Sequence, residues 1–114
     1  MRSLHYLPVL LLAASASAFC EQIKTKDEAI KLAIEAIHKF RLTTIKDECG
    51  VIDVVEKPSY FEIIVRERHT QTCGGMQETG PRLFNMRIRK QDGRLTSDVY
   101  DGTTYQPVDH MPAR

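Results

Sequence analysis

The chain has no charge excess of either sign, no long apolar run and none of the short motifs that mark common enzymes. Its 114 residues carry 16 basic and 15 acidic side chains, for a formal charge of +1. A general nucleic-acid binder needs a strong basic excess, so that class is excluded. The main apolar stretch, Leu7 to Ala14, falls far short of the roughly 20 residues that cross a bilayer as a helix, so no transmembrane segment is expected. Phosphate-cradling glycine loops, a G-x-S-x-G elbow and an H-E-x-x-H helix are all missing. Asp98, Asp101 and Asp109 follow no calcium-loop spacing. Neither enzymatic activity nor a cofactor is expected. With no repeat, low-complexity tract or linker after the first twenty residues, the remainder reads as one domain.

What is present starts at the N-terminus. Arg2 supplies a positive charge, Leu7 to Ala14 a short apolar core interrupted by Pro8, and Ala16 and Ala18 a small-x-small cleavage pattern. Together these are the marks of a secretory signal peptide over residues 1–18, removed after Ala18. Phe19 precedes Cys20, where a lipoprotein signal would need a small residue. The removed segment takes one basic and no acidic residue, so the mature chain 19–114 is formally neutral. The expected location is periplasmic or secreted.

Export makes a disulfide the default reading of the cysteines. Cys49 opens the first strand-like segment and Cys73 follows the second, so these two are expected to pair. The closed loop is worth roughly 3 kcal/mol in the chain-entropy model. Cys20 stays open as a free thiol, an intermolecular partner suited to a structural envelope subunit, or a residue lost to cleavage after it. A rival reading uses His69 and Cys73 as metal ligands, with Met76 nearby for copper, although His69-x-x-x-Cys73 lacks the two close pairs of a structural zinc site. A nucleophilic Cys73 with His69 as base would need the thiol that oxidation consumes.

Thr25-Lys26-Asp27-Glu28 has the form of a capping box, and Asp27 and Glu28 suit the positive end of a helix. Ile30, Ala33, Ile34, Ile37 and Phe40 then recur at helical spacing, which predicts an amphipathic helix over Lys26–Arg41 with that stripe inward. His38 borders the stripe. After Gly50 the period changes to two. Strands are predicted at Val51–Glu56, Tyr60–Arg68, Leu83–Lys90 and Leu95–Tyr100, with a short edge strand at Thr104–Val108. Phe61, Ile63 and Val65, then Phe84, Met86 and Ile88, form the inward phases. Gln91-Asp92-Gly93 signals a hairpin turn, and the tail from about Asp109 is expected to be loose. The fold class is therefore α+β. One N-terminal amphipathic helix packs on a sheet of about three to five antiparallel strands, in two layers.

Two surfaces are candidates for binding. Arg66, Arg68, Arg87 and Arg89 fall on outward phases of neighbouring strands and would form a guanidinium cluster for an acidic partner. The competing reading pairs them with glutamates across strands. The long connection from His69 to Pro81, with Gly74, Gly75 and Met76, would be held rigidly by the disulfide and present backbone donors and the thioether.

The helix start Thr25–Ala33, Tyr60-Phe61-Glu62-Ile63 and the Asp92-Gly93 and Asp101-Gly102 turns resemble a PepSY-type domain, and the α+β outline is similar to cystatin-like folds. The insertion bearing His69, Cys73, Gly74 and Gly75 is longer than the PepSY pattern, and the two cysteines are additional. The Glu67–Gly75 and Pro81–Phe84 strings look like those of small exported bacterial proteins. The resemblance implies an envelope binding or inhibitory module and carries no catalytic residue over. The expected function is thus a periplasmic, non-enzymatic protein-binding module, an inhibitor or immunity protein acting on a secreted or envelope enzyme. Its partner is another protein with an acidic patch. The alternative is a metal- or redox-handling protein using His69, Cys73 and Met76.

Overall fold

A helix N-terminus leaves backbone donors unsatisfied, and this chain meets that need within four residues. In the computed structural model, which describes residues 22–109, helix α1 spans Lys26–Phe40. The Glu28 amide donates to Thr25 Oγ1 at 3.1 Å, while the Thr25 and Lys24 amides donate to Glu28 Oε1 at 3.1 and 2.8 Å. The capping box is therefore complete, and Arg41 ends the helix in a left-handed conformation with φ 52°. The expected signal peptide, Cys20 and the tail beyond Asp109 lie outside the described residues.

A 3₁₀ turn, Asp47–Cys49, leads into five strands: β1 Gly50–Glu56, β2 Tyr60–Glu67, β3 Arg82–Arg89, β4 Leu95–Ser97 and β5 Gln106–Pro107. They form one antiparallel sheet in the order β1-β2-β3-β4-β5, a meander with α1 packed on one face. This is the expected two-layer α+β fold. The helix is the first described element, beginning at Lys26. β4 stops at Ser97 because Asp98 turns to bond β3, and β5 keeps only two residues of its expected span. Between β2 and β3 the register slips: Val65 faces Phe84 but Arg66 faces Arg82, so Leu83 is an extra residue on β3. Such a bulge bends the strand. No helix among the described residues is long and apolar enough to cross a membrane.

The core joins Phe61, Ile63, Val65, Phe84, Met86 and Ile88 of the sheet to Ala29, Ala33 and Ala36 of the helix, with Ile23 and Leu42 at either end. Strand phases follow the sequence reading. The helix stripe is rotated from the expected one. Its innermost line is alanine, with Ala29 and Ala33 fully buried, whereas Ile34 is 39% exposed. Small side chains let the helix axis approach the sheet closely, which pushes Ile30 and Ile34 to the flank nearest β1. Leu32, Ile37 and Phe40 pack against the core from the sides.

This rotation is measurable. Ala29→Leu forces a large side chain under the sheet and is expected to cost about 2 kcal/mol in urea denaturation. Ile34→Ala removes a half-exposed side chain and is expected to cost about 1 kcal/mol or less. The reverse order would restore the expected stripe.

Candidate functional site

The connection from Arg68 to Pro81 is long for a hairpin and is held at several points. The Cys49–Cys73 disulfide joins it to the 3₁₀ turn that precedes β1, with Cα atoms 5.6 Å apart and a sequence separation of 24. The Arg68 amide donates to the Cys49 carbonyl at 2.8 Å, beside the bridge. Thr70 organises the next turn: its hydroxyl accepts from the Cys73 amide at 3.0 Å and its carbonyl from the Gly74 amide at 2.8 Å. The expected pairing of Cys49 with Cys73 is thus present, and it anchors the loop to the start of the sheet's edge strand.

His69 is the loop's second anchor. Its Nδ1 lies 2.9 Å from both the Met76 carbonyl and Thr79 Oγ1, and its Nε2 lies 2.9 Å from Glu67 Oε1. The Thr79 hydroxyl donates to the Met76 carbonyl at 3.0 Å, so it receives from Nδ1–H. Both ring nitrogens therefore face acceptors, and only the imidazolium satisfies both. The hydrogen bond to Glu67, then that to the Met76 carbonyl, raises the His69 pKa above its ordinary value against the opposing effect of burial. Gly75 closes over the ring. A Cβ there would sit 2.6 Å from His69 Cγ, and its φ of 81° follows 84° at Gly74, so side chains are excluded by contact and by backbone.

This geometry bears on the metal reading. The Cys73 sulfur is held in a disulfide, and both His69 nitrogens are occupied by protein acceptors. A disulfide sulfur is no thiolate ligand, so these residues do not fit a thiolate metal centre. Among the described residues, no group of three or more His, Cys, Asp or Glu side chains is arranged to hold a metal ion. Met76 stands apart at 67% exposure. His38, expected at the border of the helix stripe, is bonded to Asp47 at 2.9 Å and ties α1 to the 3₁₀ turn.

The arginine face resolves into separate pairs. Arg66 bonds Asp53 of β1 at 3.1 Å, Arg87 bonds Glu62 at 3.0 Å, and Arg89 bonds Asp92 in the β3–β4 turn. Asp92 is held down at about 2 by Arg89 and by the Arg94 amide. Arg68 lies past β2 and lines a hollow with His69, Cys73, Gly74 and Gly75. The Arg87–Glu62 pair is directly opposite in the β2–β3 register, which realises the cross-strand reading at that position.

Glu62 was expected to face water but is 8% exposed. Its Oε2 accepts from Tyr105 OH at 2.7 Å and Asn85 Nδ2 at 2.8 Å, while Oε1 takes Arg87. Burial works to raise its pKa, but the three hydrogen bonds outweigh it and leave the carboxyl below its ordinary value. The Arg87 guanidinium lies 3.8 Å from the Tyr105 ring centroid. Burial, then the bond to Glu62, pushes Tyr105 up to about 12. Asn85 passes the network on: its amide donates to Asp98 at 2.8 Å, and Asp98 also takes Arg82 at 2.9 Å. Sequence reading missed Asn85, Asp98 and Tyr105 as a group because Tyr105 lies 43 residues from Glu62 and no local spacing connects them. The run of polar residues on the outward phases of β2 and β3 was the available signal.

Searches against family models, curated proteins and solved structures found no match.

Two outcomes follow. Tyr105→Phe removes a hydrogen bond to a buried carboxylate and is expected to cost about 2 kcal/mol in urea denaturation. With Glu62→Gln already present its cost should fall, and strict additivity would show that the two are uncoupled. For His69, a raised folded pKa means that its contribution to loop order is complete below the unfolded value near 6.5 and is lost as pH rises through the folded value. ¹⁵N relaxation of the Met76 and Thr79 amides should therefore report a loosening loop on alkaline titration, absent in His69→Gln.

Proposed function

We propose that the chain is an exported, non-enzymatic protein-binding module whose contact surface is the loop 69–81, acting as an inhibitor or immunity protein toward a secreted or envelope enzyme. One observation carries this reading: the loop is ordered without being buried. A disulfide and a three-acceptor histidine hub fix its backbone, yet Met76 stands 67% exposed. Buried packing is not what repays the ordering of this segment. Association normally loses loop and side-chain freedom, about 0.5–1.5 kcal/mol for each immobilised flexible side chain, and a pre-fixed loop avoids much of that loss. A thioether presented on a rigid backbone adapts to varied apolar surfaces.

Arg68 belongs to the same surface, since it shares a hollow with His69 and Cys73. It is the arginine beside the loop that would meet an acidic patch on the partner. Arg66, Arg87 and Arg89 are already matched by carboxylates. The signal-like N-terminus and the disulfide support a periplasmic or secreted location, because such bridges persist in oxidising compartments. The PepSY-like outline agrees with an envelope module, and missing catalytic motifs support a binding role.

The test is capture from the exported protein fraction of the native host by immobilised wild type, Met76→Asp and Arg68→Glu. Both substitutions are at exposed positions. A captured protein whose recovery falls at least tenfold with either variant supports the reading. Equal recovery by all three rejects the loop as the contact surface, and failure of the wild type to capture any protein rejects the class.

A further inference from the structure

β1 is the last strand on its side of the sheet, and among the described residues no strand pairs with its outer edge. The ladder to β2 is bracketed by the Arg68 amide on the Cys49 carbonyl and the Lys57 amide on the Tyr60 carbonyl, each 2.8 Å. The register between these ends is regular, with Val51 opposite Arg66, Asp53 opposite Ile64 and Val55 opposite Glu62. Antiparallel pairs alternate between bonded and non-bonded, so Val51, Asp53 and Val55 bond to β2. The backbone groups of Ile52 and Val54 therefore point outward from the sheet. Natural edges are usually blunted by charged side chains, proline or a bulge; Gly50–Glu56 has no proline, lysine or bulge, and its one mid-strand charge, Asp53, is bonded to Arg66.

Beside this edge runs an apolar groove of about 280 Å³ between β1 and the helix. Ile30, Ile34 and Ile37 form one wall, Ile52 the other, and Ile45 one end. Small-molecule sites run from about 300 Å³ upward, so this groove suits one or two aliphatic side chains better than an enclosed ligand. A row of backbone donors and acceptors flanked by apolar pockets is the arrangement that receives an added strand: the main chain supplies affinity and alternate side chains supply selectivity.

Charge decides the occupant. At the Glu56 end, Lys90 bonds Glu56 at 2.7 Å and Lys26 acts on the same carboxylate, two cations against one anion. At the Gly50 end lie Asp47 and Glu48, two anions with one cation, Lys46, beside them. A second copy pairing antiparallel about Asp53 would set its Glu56 beside those acids. We infer that the β1 edge and its groove are a second binding site, which takes an extended peptide segment of another protein with alternating aliphatic side chains and an acidic residue toward Lys26 and Lys90. The site is separate from the loop and stands or falls independently of it.

The probe is a fluorescent synthetic heptapeptide of alternating valine and threonine with one terminal glutamate, read by anisotropy and by amide hydrogen exchange on the full mature chain. Binding should be saturable, and should weaken at least tenfold with Ile34→Asp and with the peptide N-methylated along its bonding edge. Exchange at Ile52 and Val54 should slow at least tenfold on binding, with Val51, Asp53 and Val55 unchanged. Met76→Asp should bind as the wild type does. Equal binding of the N-methylated peptide overturns the proposal whether or not Ile34→Asp folds. Unchanged exchange at Ile52 and Val54 overturns it as well, and sedimentation showing a β1-dependent dimer would assign the edge to a second copy instead.

Discussion

One helix can cover only one face of a sheet, and most of this structure is a response to that limit. The inner face is closed by apolar packing against a line of alanines, which brings the helix close over β1, β2 and β3. No second helix protects the outer face among the described residues. There the chain closes the surface with charge: Glu62 sits under Tyr105 and is matched by Arg87 and Asn85. A buried carboxylate is costly unless each lone-pair direction is met, and here three donors meet it. The two layers are therefore held by different physics, dispersion and dehydration inside, directional bonds outside.

Much of the fold was legible because it is local. Thr25 and Glu28 announce the helix, period-two runs announce the strands, and Asp92-Gly93 announces a turn, all within windows of a few residues. The Cys49–Cys73 pair was legible from the export signal and from where the two cysteines fall against the predicted strands. What could not be read was rotation and depth. The apolar arc of the helix is wider than the surface available to cover it, so sequence could not say that Ala29 and Ala36 would join Ala33 against the sheet and Ile34 would not. Likewise, alternation places Glu62 outward, but burial depends on Tyr105, whose approach is set by the β4–β5 turn. For the loop, glycines and a cysteine marked a special segment. The role of His69 as its hub depends on Glu67, Met76 and Thr79 converging, and only the folded chain shows that.

The loop and the groove are neighbours. Ile45 lines both the apolar groove and the hollow behind the disulfide, and Cys49 is followed at once by the first residue of β1. The bridge thus fixes two things: where the loop stands, and where the edge strand begins. Gly50 supports this crossing of roles, since its amide closes the 3₁₀ turn while Ile45 Cδ1 lies 3.4 Å from where a side chain would start. A partner contacting one of these surfaces would approach the other along the same side of the sheet.

The meander also orders the assembly of the molecule in time. Each strand pairs with the one before it in sequence, so the three hairpin closures β1–β2, β3–β4 and β4–β5 span short segments, and topologies dominated by near-neighbour pairing form quickly. The bond from Tyr105 to Glu62 spans 43 residues and needs β2, β3 and β4 already aligned beneath it. Chain synthesis delivers that tyrosine after all three of those strands. The carboxylate at the centre of the outer face consequently stays hydrated through most of folding, and surrenders its water only when the last ordered strand swings across.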